Sequence, residues 1–442
     1  MTDVSPVLRG LARGVALLFD LACLPWLVLA SLTLRGGQRL LIWGPIPIIN
    51  NKYWSEAMRR AGWDSRTLMS TYYSSINQRS DYDIYYEDLF KIRWLGSLAE
   101  ALGAYVAHLY IVRHAKVVHI PFSGGPLGRT VFLWKWEARL YRLAGVRTVV
   151  LPYGADIYRY SKVIDPMVRH ALLLSYPDAA RREARVERSV RYWTEHADAI
   201  VMGFTMDGVG RWDVPSGNMV CIDTNNWSQT RRTSEATSDR PVRILHAPNH
   251  RGVKGTEYIL TAVDRLKTEG LPVELVLAER ISNDQVRQLM QEVDILADQL
   301  ILPGYGLNAI EGMASGLPVV ANLDDRAATE IFRRYSFLDE CPVVSATPAT
   351  IAEVLRVLVT NRSLRSELGT AGRAYVEKYH SYATAQYLFG AIYKKFAGEA
   401  VDLMNLYHPL KSAYCRERAM VKHPLVDNRI PRRYFENAYE PR

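Results

Sequence analysis

A chain of 442 residues with 48% hydrophobic and 23% charged residues is globular in composition and too long for one ordinary core. Its net charge of +9 and pI of about 9.2 call for an anionic partner, such as nucleotide phosphates, a lipid phosphate or an anionic membrane surface. Nucleic acid is not the expected partner, because Lys and Arg are dispersed and no zinc-ligand spacing or RNA-binding signature occurs. Cys23, Cys221, Cys341 and Cys415 lie far apart without a C-x-x-C, the pattern of reduced packing cysteines in a cytosolic protein.

Residues 1–38 form the first segment. Gly14–Thr33 is apolar and about as long as a membrane span requires, and Arg9, Arg13, Arg35 and Arg39 flank it. Asp20 and Pro25 interrupt it, which makes a clean span costly. A helix lying in the membrane interface with Trp26 as anchor tolerates both interruptions better. An export signal and a soluble helix packed on the body are the other readings of this segment.

From Arg39 the chain alternates short β-branched runs with helical stretches. Arg39–Trp43, Lys116–Ile120, Arg147–Leu151 and Ala199–Gly203 read as strands. Helices are expected around Tyr53–Ala61, Val131–Leu143 and Asp178–Glu195. This alternation predicts an α/β domain with a parallel sheet over 39–223. Residues 224–240 are polar and Ser/Thr-rich, as in an interdomain linker.

A second α/β unit is expected over 241–385. It begins with the strand Val242–Ala247 and the helix Thr256–Lys267, followed by the strand Val273–Ala278 and the helix Asp284–Glu292. Residues 348–395 read as helical. Residues 386–442 are a C-terminal helix and a basic tail, with a return to the first domain left open.

Residues 294–321 carry the densest chemistry. A strand ends at Asp298-Gln299, and Gly304 and Gly306 flank Tyr305 in a loop. A short helix starts near Leu307 or Asn308 and stops at Gly316, and Pro318 leads into Val319–Ala321. A glycine loop feeding a helix N-terminus presents free amides and a positive dipole end, which suits a diphosphate. Glu311, one turn in, is placed to bind ribose hydroxyls. The same Asn308 and Glu311 also read as a capping box that satisfies the first helical amides.

With Asp294, Gly304, Gly306, Glu311, Met313, Ala314, Gly316, Pro318 and Val319 in one ungapped register, this stretch resembles the retaining, family-four type of GT-B glycosyltransferase. The resemblance is strongest over 242–395. It implies two Rossmann-like, doubly wound domains facing a central cleft, and transfer of a hexose-type sugar from a nucleotide diphosphate donor. In the family, two glutamates contact the donor. The second falls on Glu311 and implies a ribose contact; the first, a sugar contact, falls on Pro303. Asp298 and Gln299 are the nearest polar replacements, and some relatives carry a similar D-Q-x-x-x-G-x-Y-G run.

A second match runs from His246 through Arg251 and Lys254-Gly255-Thr256 and resembles the family's phosphate-binding strand–loop–helix. The family's usual arginine position is Asn249 here, so Arg251 matches less closely than Lys254. The plain alternative is a pair of solvated cations before a helix capped by Thr256. In the first domain, Val117–Ile120 resembles the family's strand ending in His-x-His, with His119 present and Pro121 in place of the second histidine. Ser123, Gly124 and Gly125 follow. Tyr153-Gly154-Ala155-Asp156 resembles His-Gly-Ser-Asp with tyrosine first.

The implied catalytic set is His119, Lys254 and Arg251. Donor contacts are expected from Asp298, Gln299, Gly304, Tyr305, Gly306, Leu307, Asn308 and Glu311. The acceptor or sugar side is expected at Ser123, Gly124, Tyr153 and Asp156. Neither a metal nor another cofactor is expected. The expected setting is the cytoplasmic face of the plasma membrane, with a glycan or lipid-linked acceptor and contact through residues 14–33. A non-catalytic partner subunit and a GT-B-fold sugar-nucleotide epimerase are the rival readings; the sequence leaves oligomeric state open.

Overall fold

The computed structural model describes residues 6–34, 39–74, 77–90, 97–204, 206, 210–217, 219–227 and 240–436. Most of the expected linker, residues 228–239, therefore lies outside the described residues, as do residues 1–5 and 35–38 of the N-terminal segment. The chain divides into two compact units. One comprises Met1–Tyr158, Arg182–Val201 and Val209–Arg211; the other comprises Arg159–Arg181, Met202–Gly208 and Trp212–Arg442.

The first sheet contains β1 (Leu40–Trp43), β2 (Ser65–Met69), β3 (Ile84–Tyr85), β4 (Ala115–Ile120), β5 (Arg147–Val150), β6 (Ala199–Met202) and β7 (Val214–Pro215), in the order β3-β2-β1-β4-β5-β6-β7. The second contains β8 (Val242–His246), β9 (Val273–Leu277), β10 (Ile295–Gln299), β11 (Val319–Ala321) and β12 (Val344–Ser345), in the order β12-β11-β10-β8-β9. Its strand pairs are parallel. β1 (LLIW) and β10 (ILADQ) are buried along their whole length, as expected of parallel strands covered on both faces.

Each sheet has one point where the winding direction reverses, between β1 and β4 in the first and between β8 and β10 in the second. Loops leaving the carboxyl ends of the two strands diverge there and open a crevice, the usual ligand position in such sheets. The Lys254 turn follows β8 and the glycine loop follows β10, so the second reversal brings the two motifs together.

Residues 159–181 join the second unit for a packing reason that no sequence spacing announces. The helix Pro166–Ser175 lies on the turn Arg251–Lys254, where the Val253 amide donates to Ser175 Oγ at 3.3 Å. The C-terminal tail also folds onto this second unit. Leu425 and Ile430 belong to its core cluster, with Tyr434 and Phe435 packed against it, and Asn428 Nδ2 donates to the Cys341 carbonyl at 2.6 Å.

The N-terminal helix Pro6–Thr33 is an integral part of the first unit. Leu27 is buried with Leu127, Leu133 and Leu140, and Cys23, Leu24 and Val28 pack on the same cluster. Asp20, an apparent interruption in the sequence, is 1% exposed. Its carboxylate accepts the Tyr105 hydroxyl and the Phe132 amide, the latter at 2.6 Å.

The helix Leu307–Ala314 crosses β10 closely because Gly312 has no side chain: a Cβ there would lie 2.4 Å from Leu296 Cδ2. Gly312→Ala is expected to lower stability by about 1–3 kcal/mol through overpacking. Denaturant unfolding checks this, and an unchanged midpoint would show that the helix can shift freely.

Candidate functional site

Backbone contacts first join the two motifs of the second unit. The Leu300 amide donates to the Lys254 carbonyl at 3.1 Å, and the Leu302 amide donates to the Val253 carbonyl at 3.2 Å. The turn after β8 is thereby pinned to the loop after β10. Gly304 has φ +99°, and a Cβ there would lie 2.7 Å from Phe204, so this position needs glycine for conformation and for space.

Lys254 occupies the junction. Its Nζ lies 2.5 Å from Asp298 Oδ1 and 3.1 Å from Gln299 Oε1. The side chains of Lys254 and Asp298 are 11% and 0% exposed. The other Asp298 oxygen accepts the Gly306 amide at 3.3 Å, and Gln299 Nε2 donates to the Leu302 and Gly304 carbonyls at 2.9 and 3.0 Å. Asp298 and Gln299 therefore hold Lys254 and shape the loop.

The capping-box reading of Asn308 and Glu311 does not describe this helix. Gly306 is the N-cap, and no side chain caps the helix. Asn308 Nδ2 is buried without a hydrogen-bond partner. Glu311 is 2% exposed, and Asn283 Nδ2 donates to its Oε1 at 3.2 Å. Burial raises the Glu311 carboxyl to about 8, with the Asn283 bond opposing the rise and Asp298 adding to it. Sequence reasoning did not find Asn283, which sits beside the N-cap Ser282 and reads locally as part of a helix start.

Two residues expected at the site, Tyr305 among the donor contacts and Arg251 in the catalytic set, are engaged within the fold. Tyr305 points into the core, where its hydroxyl meets those of Tyr375 at 2.7 Å and His380 Nε2 at 3.0 Å. Arg251 is held by two carboxylates, at 2.8 Å from Glu257 and 2.9 Å from Glu279. His246, at the end of β8, is fully buried; its Nδ1 donates to the Ala297 carbonyl at 2.8 Å. Its Nε2 then accepts the Thr256 hydroxyl at 2.9 Å, and burial lowers its pKa to about 4, so the ring is a neutral brace.

In the first unit the strand-end loops are tied together separately. Asp156 accepts the Phe122 and Tyr153 amides, both at 2.9 Å, and the Tyr153 hydroxyl donates to Asn51 Oδ1 at 2.9 Å. Glu137, unmarked in the sequence, accepts the Gly125 and Leu127 amides at 3.0 and 2.9 Å and fixes the loop beside Gly124. Ser123 is exposed at its tip. Burial raises the Glu137 carboxyl to about 7 and that of Asp156 to about 6.

His119 is not presented to a ligand. It is fully buried, stacked on Trp43 with ring centroids 3.5 Å apart, and its Nδ1 donates to the Ile42 carbonyl at 3.0 Å. Burial lowers its pKa to about 3. A catalytic histidine at this position is therefore replaced by a core one. Among the described residues, no group of three or more His, Cys, Asp and Glu side chains is arranged to hold a metal ion.

No protein-family model matches the chain, and no curated protein matches its sequence. Solved structures do match its fold. The sucrose-phosphate synthase of Thermosynechococcus elongatus is 14% identical with a TM-score of 0.51, the match covering 82% of this chain and 100% of that one. Anabaena HepE, solved with UDP, is 11% identical with a TM-score of 0.48 over 82% of this chain and 100% of its own. WaaG, a glycosyltransferase involved in lipopolysaccharide biosynthesis, is 15% identical with a TM-score of 0.45 over 81% and 100%. The two parallel α/β units of this chain have the GT-B fold.

Proposed function

We propose that this chain is a glycosyltransferase that moves a hexose-type sugar from a nucleotide diphosphate donor to an acceptor hydroxyl. The observation that carries the reading is the cluster at the β8–β10 reversal. There Lys254 is fixed beside an uncapped helix N-terminus, and the buried Glu311 lies one turn further on. Lys254 and the helix amides stabilise charge on the departing diphosphate, and Glu311 takes the ribose hydroxyls. The acceptor attacks from the face that the diphosphate vacates, with retention, and a departing phosphate oxygen accepts its proton. Lys254 supplies the positive charge locally, so transfer proceeds without a bound metal and survives chelation by EDTA.

The strand-end loops at Ser123, Gly124, Tyr153 and Asp156 form the acceptor side in this reading. The acceptor is a glycan on a lipid carrier at the cytoplasmic face of the membrane, which the apolar helix Pro6–Thr33 supports. Thermal-shift titration with UDP, GDP and ADP and their sugar conjugates tests donor binding, followed by transfer of labelled sugar to a lipid extract. If none of these nucleotides binds, the proposal falls. If one binds but its sugar is neither hydrolysed nor transferred, the chain is a non-catalytic GT-B partner.

Arg251→Ala is expected to lower turnover by about tenfold or less, against the far larger loss for Lys254. Exposed ion pairs contribute little, and its two carboxylate partners already balance its charge. Steady-state rates of the two variants side by side check this ranking. Equal losses would place Arg251 on the diphosphate.

A further inference from the structure

The helix Pro6–Thr33 has 28 residues, about 42 Å, long enough to cross a bilayer core of about 30 Å. Its packing points to another use. Ala16, Asp20, Cys23, Leu24, Leu27 and Ser31 recur at helical steps on one face, and all are at least half-buried in the first unit. They rest on the helices Ser97–His114 and Glu137–Ala144. Asp20 keys this face by accepting the Phe132 amide and the Tyr105 hydroxyl, while Phe19 meets the Tyr105 ring edge-on at 5.2 Å. Only the turns before Ala16 project beyond the docked face. These are about 15 Å of helix, half the thickness of a hydrocarbon core.

The opposite face is open. Leu8, Leu11, Val15, Leu18, Ala22, Trp26 and Leu29 line it at steps of three and four residues, with Leu18 69% and Trp26 72% exposed. Only 17% of the helix's most apolar window is buried, so it is not the core helix of a soluble domain. Between Gly14 and Leu32 every exposed residue is apolar, so this face lacks the polar rim that a protein partner meets. Among the described side chains the exposed charge on this helix is Arg13, ahead of the Gly14–Leu32 stretch, on a chain of net charge +9. Aliphatic contact with a cation ahead of it is complementary to hydrocarbon beneath anionic headgroups.

We propose that this helix is a monotopic lipid-binding wing: it stays docked through Asp20 and lays its Leu8–Leu29 stripe into one leaflet of an anionic membrane. The wing is apolar on both faces because one meets protein and the other lipid; a freely binding interfacial helix needs a polar face for water. The proposal rests on the membrane part of the reading above and deepens it, by naming the contact surface and excluding a span.

Flotation of the full chain with vesicles of phosphatidylcholine and phosphatidylglycerol tests it. Leu18→Glu combined with Trp26→Glu is expected to lower the vesicle-bound fraction at least about tenfold, leaving the unfolding midpoint and nucleotide binding in place. Pure phosphatidylcholine is expected to bind the wild type less. In the vesicle-bound protein the Phe132 and Leu133 amides, which donate to Asp20, should exchange hydrogen as slowly as in solution. Faster exchange on vesicles would mean that the helix has left its dock and inserted, which overturns the proposal. Undiminished flotation of the double variant overturns it too, as does an effect confined to self-association without vesicles. Nucleotide titration of the same samples keeps the donor question separate, since its failure would leave the lipid result standing.

Discussion

Replacing Lys254 by alanine lowers sugar transfer by about 10³-fold or more, the scale expected when a fixed charge is removed from a developing anion in an enclosed site. The variant also loses stability, and this second effect has to be separated from the first. Asp298 is 0% exposed, and without Lys254 its carboxylate stays buried with no counter-charge, at a cost of about 3–5 kcal/mol. Combining Lys254→Met with Asp298→Asn removes both charges while keeping side-chain volume near its original value. The paired variant is expected to unfold close to the wild-type midpoint and to remain inactive. Turnover that returned together with stability would make Lys254 a structural residue, and the proposed chemistry would lose its principal group.

Glu311→Ala raises the donor concentration needed for half-maximal rate by about a hundredfold, the worth of one or two charge-assisted hydrogen bonds to a ribose. Glu311→Gln isolates the proton. In the folded chain burial holds the carboxyl protonated up to about pH 8, against an ordinary value of 4.5. Between those values the folded state binds more protons than the unfolded one. The stabilising contribution is complete below about pH 4.5 and is lost as pH rises towards 8. The glutamine variant does not titrate there, so it should gain on the wild type by several kcal/mol between pH 5 and pH 8. Parallel slopes of unfolding free energy against pH would refute a protonated Glu311. Ribose hydroxyls favour the ionised form, so nucleotide binding near neutrality should release a proton, seen by calorimetry in buffers of different ionisation enthalpy. Glu311→Gln should abolish that release.

What the sequence displays well is local. The run from Asp294 to Ala321 shows its strand, glycine turn, helix and second strand because each signal lies within a few residues of the next. Residue pairs distant in sequence do not show themselves. Asn283 meets Glu311, Glu279 takes Arg251, and Trp43 covers His119 only once the parallel sheet order sets them side by side. His119 matched a family position by spacing, whereas its burial depends on a strand far away in the chain. Other elements escaped notice for definite reasons. Ser97–His114 is apolar on most sides and lacks a period, and β2 is five residues long with only Arg66 exposed. Pro166–Ser175 did carry a signal, since Asp165 caps it ahead of a proline at its first position.

The pairing of Lys254 with Asp298 also bears on how a nucleotide arrives. Neither this lysine nor Arg251, held between Glu257 and Glu279, projects an unbalanced field, because each carries its own counter-ion within the fold. Capture of a diphosphate then becomes an exchange of one anion for another on a cation already in place, with little long-range attraction. The association rate should therefore change little between low and high ionic strength, whereas an open cationic funnel would slow steeply as salt is added. Selectivity follows from the same arrangement. A lone inorganic phosphate can offer Lys254 a charge but has no ribose for Glu311, so it has little with which to displace the carboxylate already there.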